Sequence, residues 1–180
     1  MKRRLFLAAT IAAALPSVAL AESPVELEVS LTTDLAADAE TVWSAIGDFQ
    51  DMSWHPAIHA TTGEGGNEAG ATRQLTLGGA DGPTIDETLD SHGPDAMRYA
   101  YRITDVNPEV LPVSDYAAQI EVMGRDGGGS TVAWRGTFHR ADPGANPPEA
   151  QNDEAAIAAV TGVYRAGLDA LTARFGAPDS

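Results

Sequence analysis

Cysteine is absent from all 180 residues, which removes disulfides, thiolate metal sites, cysteine nucleophiles and thioether-attached haem together. Lysine is almost as scarce, with Lys2 the only one, and 11 basic residues face 26 acidic ones for a net charge of −15. Nucleic acid and anionic lipid surfaces are therefore poor partners. Gly-x-Ser-x-Gly elbows, dinucleotide fingerprints and a nucleophile beside a base are also missing. Gly127-Gly128-Gly129-Ser130 is glycine-rich, but it leads into a strand and so lacks the helix N-terminus that makes a phosphate cradle. Asp51, His55 and His59 are spaced by four, which would align three metal ligands on one continuous helix, yet Pro56 breaks that helix. No metal or other cofactor is expected.

What is present starts with a leader. Lys2, Arg3 and Arg4 precede an apolar run from Leu5 to Leu15, and Ala19 and Ala21 stand where a signal peptidase reads. The run is shorter than the ~20 residues a spanning helix needs, and Pro16 follows it. Residues 1–21 thus read as a signal peptide cleaved after Ala21, with a periplasmic mature chain and no stable membrane insertion. The secretory route fits, and Arg3-Arg4 followed by Phe6 and Leu7 also fits twin-arginine export. Cleavage removes three cations and no acid, which takes the charge from −15 to −18. That suits a basic partner or cationic ligand, and equally a highly soluble surface.

Residues 22–180 are the length of one domain, long enough to bury ~70% of the unfolded surface. Val25 to Thr33 alternates apolar and polar residues as a half-buried strand does. Asp38 can cap a helix over 38–49 that places Val42, Ile46 and Phe49 on one face. Glycine-rich and Asp/Pro-containing turns then divide six β-like runs, 57–62, 71–77, 84–91, 96–104, 116–123 and 131–140, which form an antiparallel meander. Asn152 caps a last helix with Asp153 and Glu154 in its first turn, and Ile157, Val160, Tyr164, Leu168, Leu171 and Phe175 recur at helical spacing until Gly176 and Pro178 end it. No repeat or second domain appears.

This order of elements, with VWSAIGDF (42–49), Trp54-His55-Pro56, Arg73-x-Leu75-x-Leu77 and Glu87-Thr88-Leu89, resembles the SRPBCC superfamily of START lipid-transfer domains and polyketide cyclases. Within it, the leader, Leu111-Pro112-Val113 followed by Tyr116, and TVAWRG (131–136) are similar in style to the exported MxaD-type proteins that accompany a quinone-dependent methanol dehydrogenase. The resemblance implies an α+β helix-grip fold: a seven-stranded curved antiparallel sheet wrapped around the long C-terminal helix, with short helices after the first strand. It also implies a cavity for a small apolar or amphipathic ligand, and a periplasmic dehydrogenase or cytochrome as partner.

Strand alternation then assigns faces. Tyr99 and Tyr101 point inward with Met97 and Ile103, as do Tyr116, Trp134 and Phe138. Arg73 falls on the side of Leu75 and Leu77, and Glu87 on that of Ile85 and Leu89. If Leu75 pairs with Ile85, Arg73 lies opposite Glu87, and an inner-face ion pair is expected because a lone buried charge costs far more than a paired one. Trp54, His55, Arg73, Glu87, Tyr99, Tyr101, Tyr116, Trp134 and Phe138 are the candidate ligand-binding residues. Two further readings stand beside a binding protein. One is a cyclase or dehydratase in which His55 is the base and Arg73 with a tyrosine steadies an enolate. The other is a lipid carrier, which needs a mobile gate; the proline-rich loop 141–151 is either that gate or, more in keeping with such loops, a connector. An opposing account makes Arg73 and Glu87 a mutual neutralisation and His55 a cap on the first helical segment. His92, in a turn, and His139, on an outward strand position, read as surface residues.

Overall fold

The computed structural model describes residues 25–178, so the leader lies outside the described residues. Strand β1 (Leu27–Leu35) leads through the N-cap Asp38 into helix α1 (Ala39–Ile46). Asp38 accepts the Thr41 N–H at 2.8 Å, satisfying one of the helix's free donors. Val42 and Ile46 bury the inner stripe of α1. The meander follows as β2 (Ile58–Glu64), β3 (Thr72–Leu77), β4 (Thr84–Gly93), β5 (Arg98–Val106), β6 (Val113–Gly124) and β7 (Ser130–Arg140), and helix α2 (Asp153–Phe175) comes last. Residues 47–57 are turns and bends, so a single short helix follows β1 where short helices were expected. Val25, expected inside the first strand, precedes it and is exposed.

The seven strands form one sheet in the order β1-β7-β6-β5-β4-β3-β2, and every pairing is antiparallel. The first strand pairs with the last of the meander, leaving β1 and β2 as the edges. Leu75 lies opposite Ile85 and Arg73 opposite Glu87, the expected register. Extra residues interrupt β2 between Ile58 and Ala60, β5 at Thr104, β4 between Leu89 and Ser91, and β6 between Ser114 and Ala117. Each extra residue bends its strand and adds twist.

Helix α2, about 35 Å long at 1.5 Å per residue, packs chiefly on β1 and β7. Asn152 caps it by accepting the Ala155 N–H at 2.8 Å. Its buried stripe is Ala156, Val160, Tyr164, Gly167, Leu168 and Leu171. Ile157, expected on that stripe, is exposed, because Ala156 one position earlier faces the sheet and 100° of helical turn carries Ile157 off it. The Thr33 and Thr172 hydroxyls, 2.8 Å apart, pin the end of α2 to β1.

One irregularity changes a side chain's environment. Up to Leu89 the odd-numbered residues of β4 face inward, but the shift between Leu89 and Ser91 reverses parity and sets His92 opposite the inward Tyr99. His92, expected as a surface residue in a turn, is on the strand instead. It is hydrogen-bonded to the Gly47 carbonyl at 2.8 Å and stacks on Tyr99. Met97, expected to begin the inward face of β5, adopts a left-handed conformation (φ 45°) at the turn before that strand. His139 lies half-buried, 3.5 Å from Asp115.

Candidate functional site

Residues 48–57 cross the inner face of the sheet and carry Phe49, Met52, Trp54 and His55 into the interior. His55 is 1% exposed. Its Nδ1 accepts the Ala57 N–H at 3.2 Å, so Nε2 carries the proton and donates to the Val163 carbonyl of α2 at 3.0 Å. Burial pushes its pKa below the usual imidazole value, with the Val163 carbonyl pulling the other way. Gly167 makes this approach sterically feasible. A Cβ there would sit 2.7 Å from His55 Cδ2 and 2.9 Å from Trp134 Cζ3, well inside van der Waals contact. His55 therefore fastens the loop to α2, and does not cap α1. Both ring nitrogens are engaged, so it has no free lone pair to act as a base in this arrangement.

Arg73 is fully enclosed. Its Nε donates to Glu87 Oε2 at 2.6 Å and its Nη1 to the Phe49 carbonyl at 2.8 Å, while the guanidinium lies 4.2 Å from the Phe49 ring centre and 5.0 Å from that of Tyr101. Burial opposes its charge, but Glu87 and the adjacent rings of Tyr99 and Tyr101 hold its pKa above the ordinary value. Burial likewise lifts the Glu87 carboxyl above its ordinary value, against the pull of Arg73. Arg73 Nη2 and the Tyr99 hydroxyl have no hydrogen-bond partner among the described residues.

Beside this pair, between the sheet and α2, lies a cavity of about 100 Å³ that opens to solvent past Ala57 and the half-buried Ile58, Leu77, Ile103 and Val110. Its walls are mostly aliphatic, with Leu75, Leu77, Ile85, Ile103 and Leu111 among them. Of the nine candidate residues, His55, Glu87, Tyr101, Tyr116 and Trp134 line it. Trp54, Arg73, Tyr99 and Phe138 do not, and pack behind the lining. Trp54 touches the rings of His55 and Trp134, Tyr99 sits among Trp43, Phe49 and His92, and Phe138 stacks on Tyr116. Arg73 acts through Glu87, which it orients, and does not reach the cavity.

The hydroxyls are held in two hydrogen-bonded pairs. Trp134 Nε1–H donates to the Tyr101 hydroxyl at 3.1 Å, and the Tyr116 and Tyr164 hydroxyls are 2.6 Å apart. Burial raises the pKa of all three tyrosines, so they remain neutral donors. Tyr164 stacks on Trp134 at 4.4 Å and 14°, and Gly136 leaves room for its hydroxyl against β7.

Strand alternation did not reach several site residues. Tyr164 and Val163 come from α2, where helical periodicity marks Tyr164 as inward but not as a hydroxyl partner of Tyr116. Val110 and Leu111, two apolar residues between Pro108 and Pro112 in the β5–β6 connection, also line the cavity. That apolar pair in a proline-flanked loop was the available signal. Among the described residues, no group of three or more His, Asp or Glu is arranged to hold a metal ion, and no helix is long and apolar enough to cross a membrane.

Residues 26–176 match the family model described as polyketide cyclase / dehydrase and lipid transport. Among solved structures, the protein XoxI from Bacillus cereus is 30% identical with a TM-score of 0.68, over 82% of this chain and 94% of that one. A Bacillus thuringiensis protein is 32% identical with a TM-score of 0.68, over 83% and 98%. Norcoclaurine synthase from Thalictrum flavum, solved with dopamine and hydroxybenzaldehyde, shares the fold at 15% identity and a TM-score of 0.60, over 84% and 87%. No curated protein matches the sequence.

Proposed function

Because the chain belongs to the polyketide cyclase/dehydrase and lipid transport family, a group of SRPBCC helix-grip proteins that hold small hydrophobic ligands, we propose that it is an exported binding protein whose ligand occupies the cavity between the sheet and α2. The observation that carries this reading is the cavity itself: lined mostly by aliphatic side chains, with Glu87, Tyr101, Tyr116, Trp134 and His55 its polar members. Its volume of about 100 Å³ is close to that of the ~150 Å³ engineered cavity that admits benzene. A compact molecule suits it better than the acyl chain a lipid carrier would need. The cyclase reading is weaker, since the imidazole it requires as base has both nitrogens occupied.

Calorimetric titration of the purified protein with toluene tests the reading. Saturable binding that is lost in Ile85→Phe, where the larger side chain fills the cavity, supports it. A wild-type protein that takes up neither toluene nor any other small apolar probe overturns it. Export is tested by the N-terminus of the protein recovered from the periplasmic fraction. Glu22 is expected there, whereas a chain confined to the cytoplasm with Met1 retained refutes export.

The finer role follows the likeness of Trp54-His55-Pro56 and Leu111-Pro112-Val113 to MxaD-type proteins, together with an acidic surface suited to a basic partner. In it, the protein assists a periplasmic quinone-dependent dehydrogenase. Adding it to a dehydrogenase–cytochrome assay should raise the rate of electron transfer, and an unchanged rate would remove this role while leaving the binding function intact.

A further inference from the structure

The geometry points to a ligand that carries a hydroxyl group on a compact apolar body of about one ring, an alcohol or a phenol rather than a carboxylate or an amine. This rests on the reading of the cavity as a ligand site. It follows from counting what the cavity's polar groups still have to offer.

His55 offers nothing, because Nδ1 accepts from Ala57 and Nε2 donates to Val163. Tyr116 shares one hydrogen bond with the Tyr164 hydroxyl at 2.6 Å, and with Tyr164 as the acceptor the Tyr116 O–H is taken while its oxygen can still accept. Tyr101 accepts the Trp134 indole proton, which leaves its own O–H to donate. Glu87 gives Oε2 to Arg73, and its Oε1 accepts no hydrogen bond among the described residues. With Tyr116 donating to Tyr164, the donor left on the otherwise apolar lining is the Tyr101 O–H, and the acceptors left are the charged Glu87 Oε1 and the neutral Tyr116 oxygen.

A hydroxyl is the smallest group that accepts one hydrogen bond and donates another. It would take the Tyr101 proton and give its own to Glu87. A carboxylate would bring a second negative charge to Glu87, and Arg73, the cation beside it among the described residues, is enclosed by Phe49 and Tyr101 and already bound to Glu87. An ammonium would bring three donors to two acceptors, Glu87 Oε1 and the Tyr116 oxygen, leaving one unpaired and the Tyr101 O–H with nothing to donate to. An ether or ketone would accept from Tyr101 but leave Glu87 Oε1 unmatched.

The test is calorimetric titration with phenol, toluene and benzoate as one matched set, and butan-1-ol, butylamine and butyrate as the other. Wild-type protein should bind phenol and butan-1-ol in preference to the charged members of their sets, and phenol more tightly than butan-1-ol; butan-1-ol as the tighter of the two would overturn the one-ring body. Tyr101→Phe should weaken phenol about tenfold, the value of one hydrogen bond of about 1.4 kcal/mol, and leave toluene within twofold. Toluene binding also reports that the variant keeps its cavity. Should Tyr101→Phe fail to fold, the wild-type ranking of phenol against benzoate, and of butan-1-ol against butyrate and butylamine, decides the assignment. Benzoate or butylamine binding at least as tightly as phenol or butan-1-ol, or phenol affinity unmoved in a folded variant, overturns the hydroxyl assignment while the cavity remains a ligand site. Failure of every probe, toluene included, overturns both.

Discussion

Helix α2 contains two glycines whose replacement by alanine should have opposite effects. In a helix interior, alanine is favoured over glycine by about 1 kcal/mol. At Gly162, no atom lies within 4 Å of where a Cβ would stand, so Gly162→Ala should stabilise the protein by about that amount. At Gly167 the same Cβ would lie 2.7 Å from His55 Cδ2, 2.9 Å from Trp134 Cζ3 and 3.1 Å from Trp54 Cζ3. All three are atoms of rigid rings that pack on one another, so no flexible end can swing aside. Overpacking of this kind costs about 1–3 kcal/mol. Set against the helical gain, Gly167→Ala should fall between neutral and about 2 kcal/mol destabilising. The difference between the two variants isolates the steric cost, since both carry the same helical gain. Urea unfolding followed by far-UV circular dichroism, at unchanged m-value, measures both. If the variants differ by less than about 0.5 kcal/mol, the close seating of His55 and Trp134 on α2 is refuted.

Three further outcomes are expected. The His55 pKa is lower in the folded protein than its unfolded value near 6.5, so the folded state binds fewer protons; the stability this contributes is complete above 6.5 and is lost as pH falls through the folded value. Urea midpoints between pH 7 and 5 should therefore decline more steeply for the wild type than for His55→Gln, and parallel profiles would contradict the assignment. Arg73→Met leaves Glu87 buried without its partner and should cost about 3–5 kcal/mol in urea unfolding, whereas Arg73→Met with Glu87→Leu should recover much of it. If the double variant is no more stable than the single one, charge burial is not the cause. Tyr164→Phe removes the 2.6 Å hydroxyl contact with Tyr116 and should lower stability by about 1–3 kcal/mol; a loss below 0.5 kcal/mol would show that the hydroxyls do not depend on each other.

Strand alternation and turn residues were enough to place Arg73 against Glu87, because the register of a hairpin follows from one apolar pair once the turn is known. They were also enough to put Tyr101, Tyr116 and Trp134 on the inner face. Alternation assigns a side of the sheet but not a position along it, so it could not separate Tyr101, at the cavity, from Tyr99, two residues away and sealed behind Phe49. Nor could it show that Arg73 stops short of the cavity, which depends on the carbonyl of Phe49 reaching it from the loop after α1. His92 escaped for a more local reason, an irregularity in β4 that reverses parity and leaves no mark in composition. The contact of Gly167 with His55 joins residues more than 100 positions apart, and only the packed fold brings them together.

The two edges of the sheet bear on how copies of this protein meet. An open edge presents unpaired backbone donors and acceptors to which another chain can add. Strand β1 exposes Glu28 and, 3.6 Å from Arg125, Asp34, and β2 exposes Glu64 and is kinked between Ile58 and Ala60. Two molecules aligned through either edge would oppose like charges along a ladder that the kink in β2 further shortens. Acidity that discriminates poorly among partners thus has a definite consequence for self-association: it discourages the growth of a continuous intermolecular sheet, even at concentrations where an uncharged edge would aggregate.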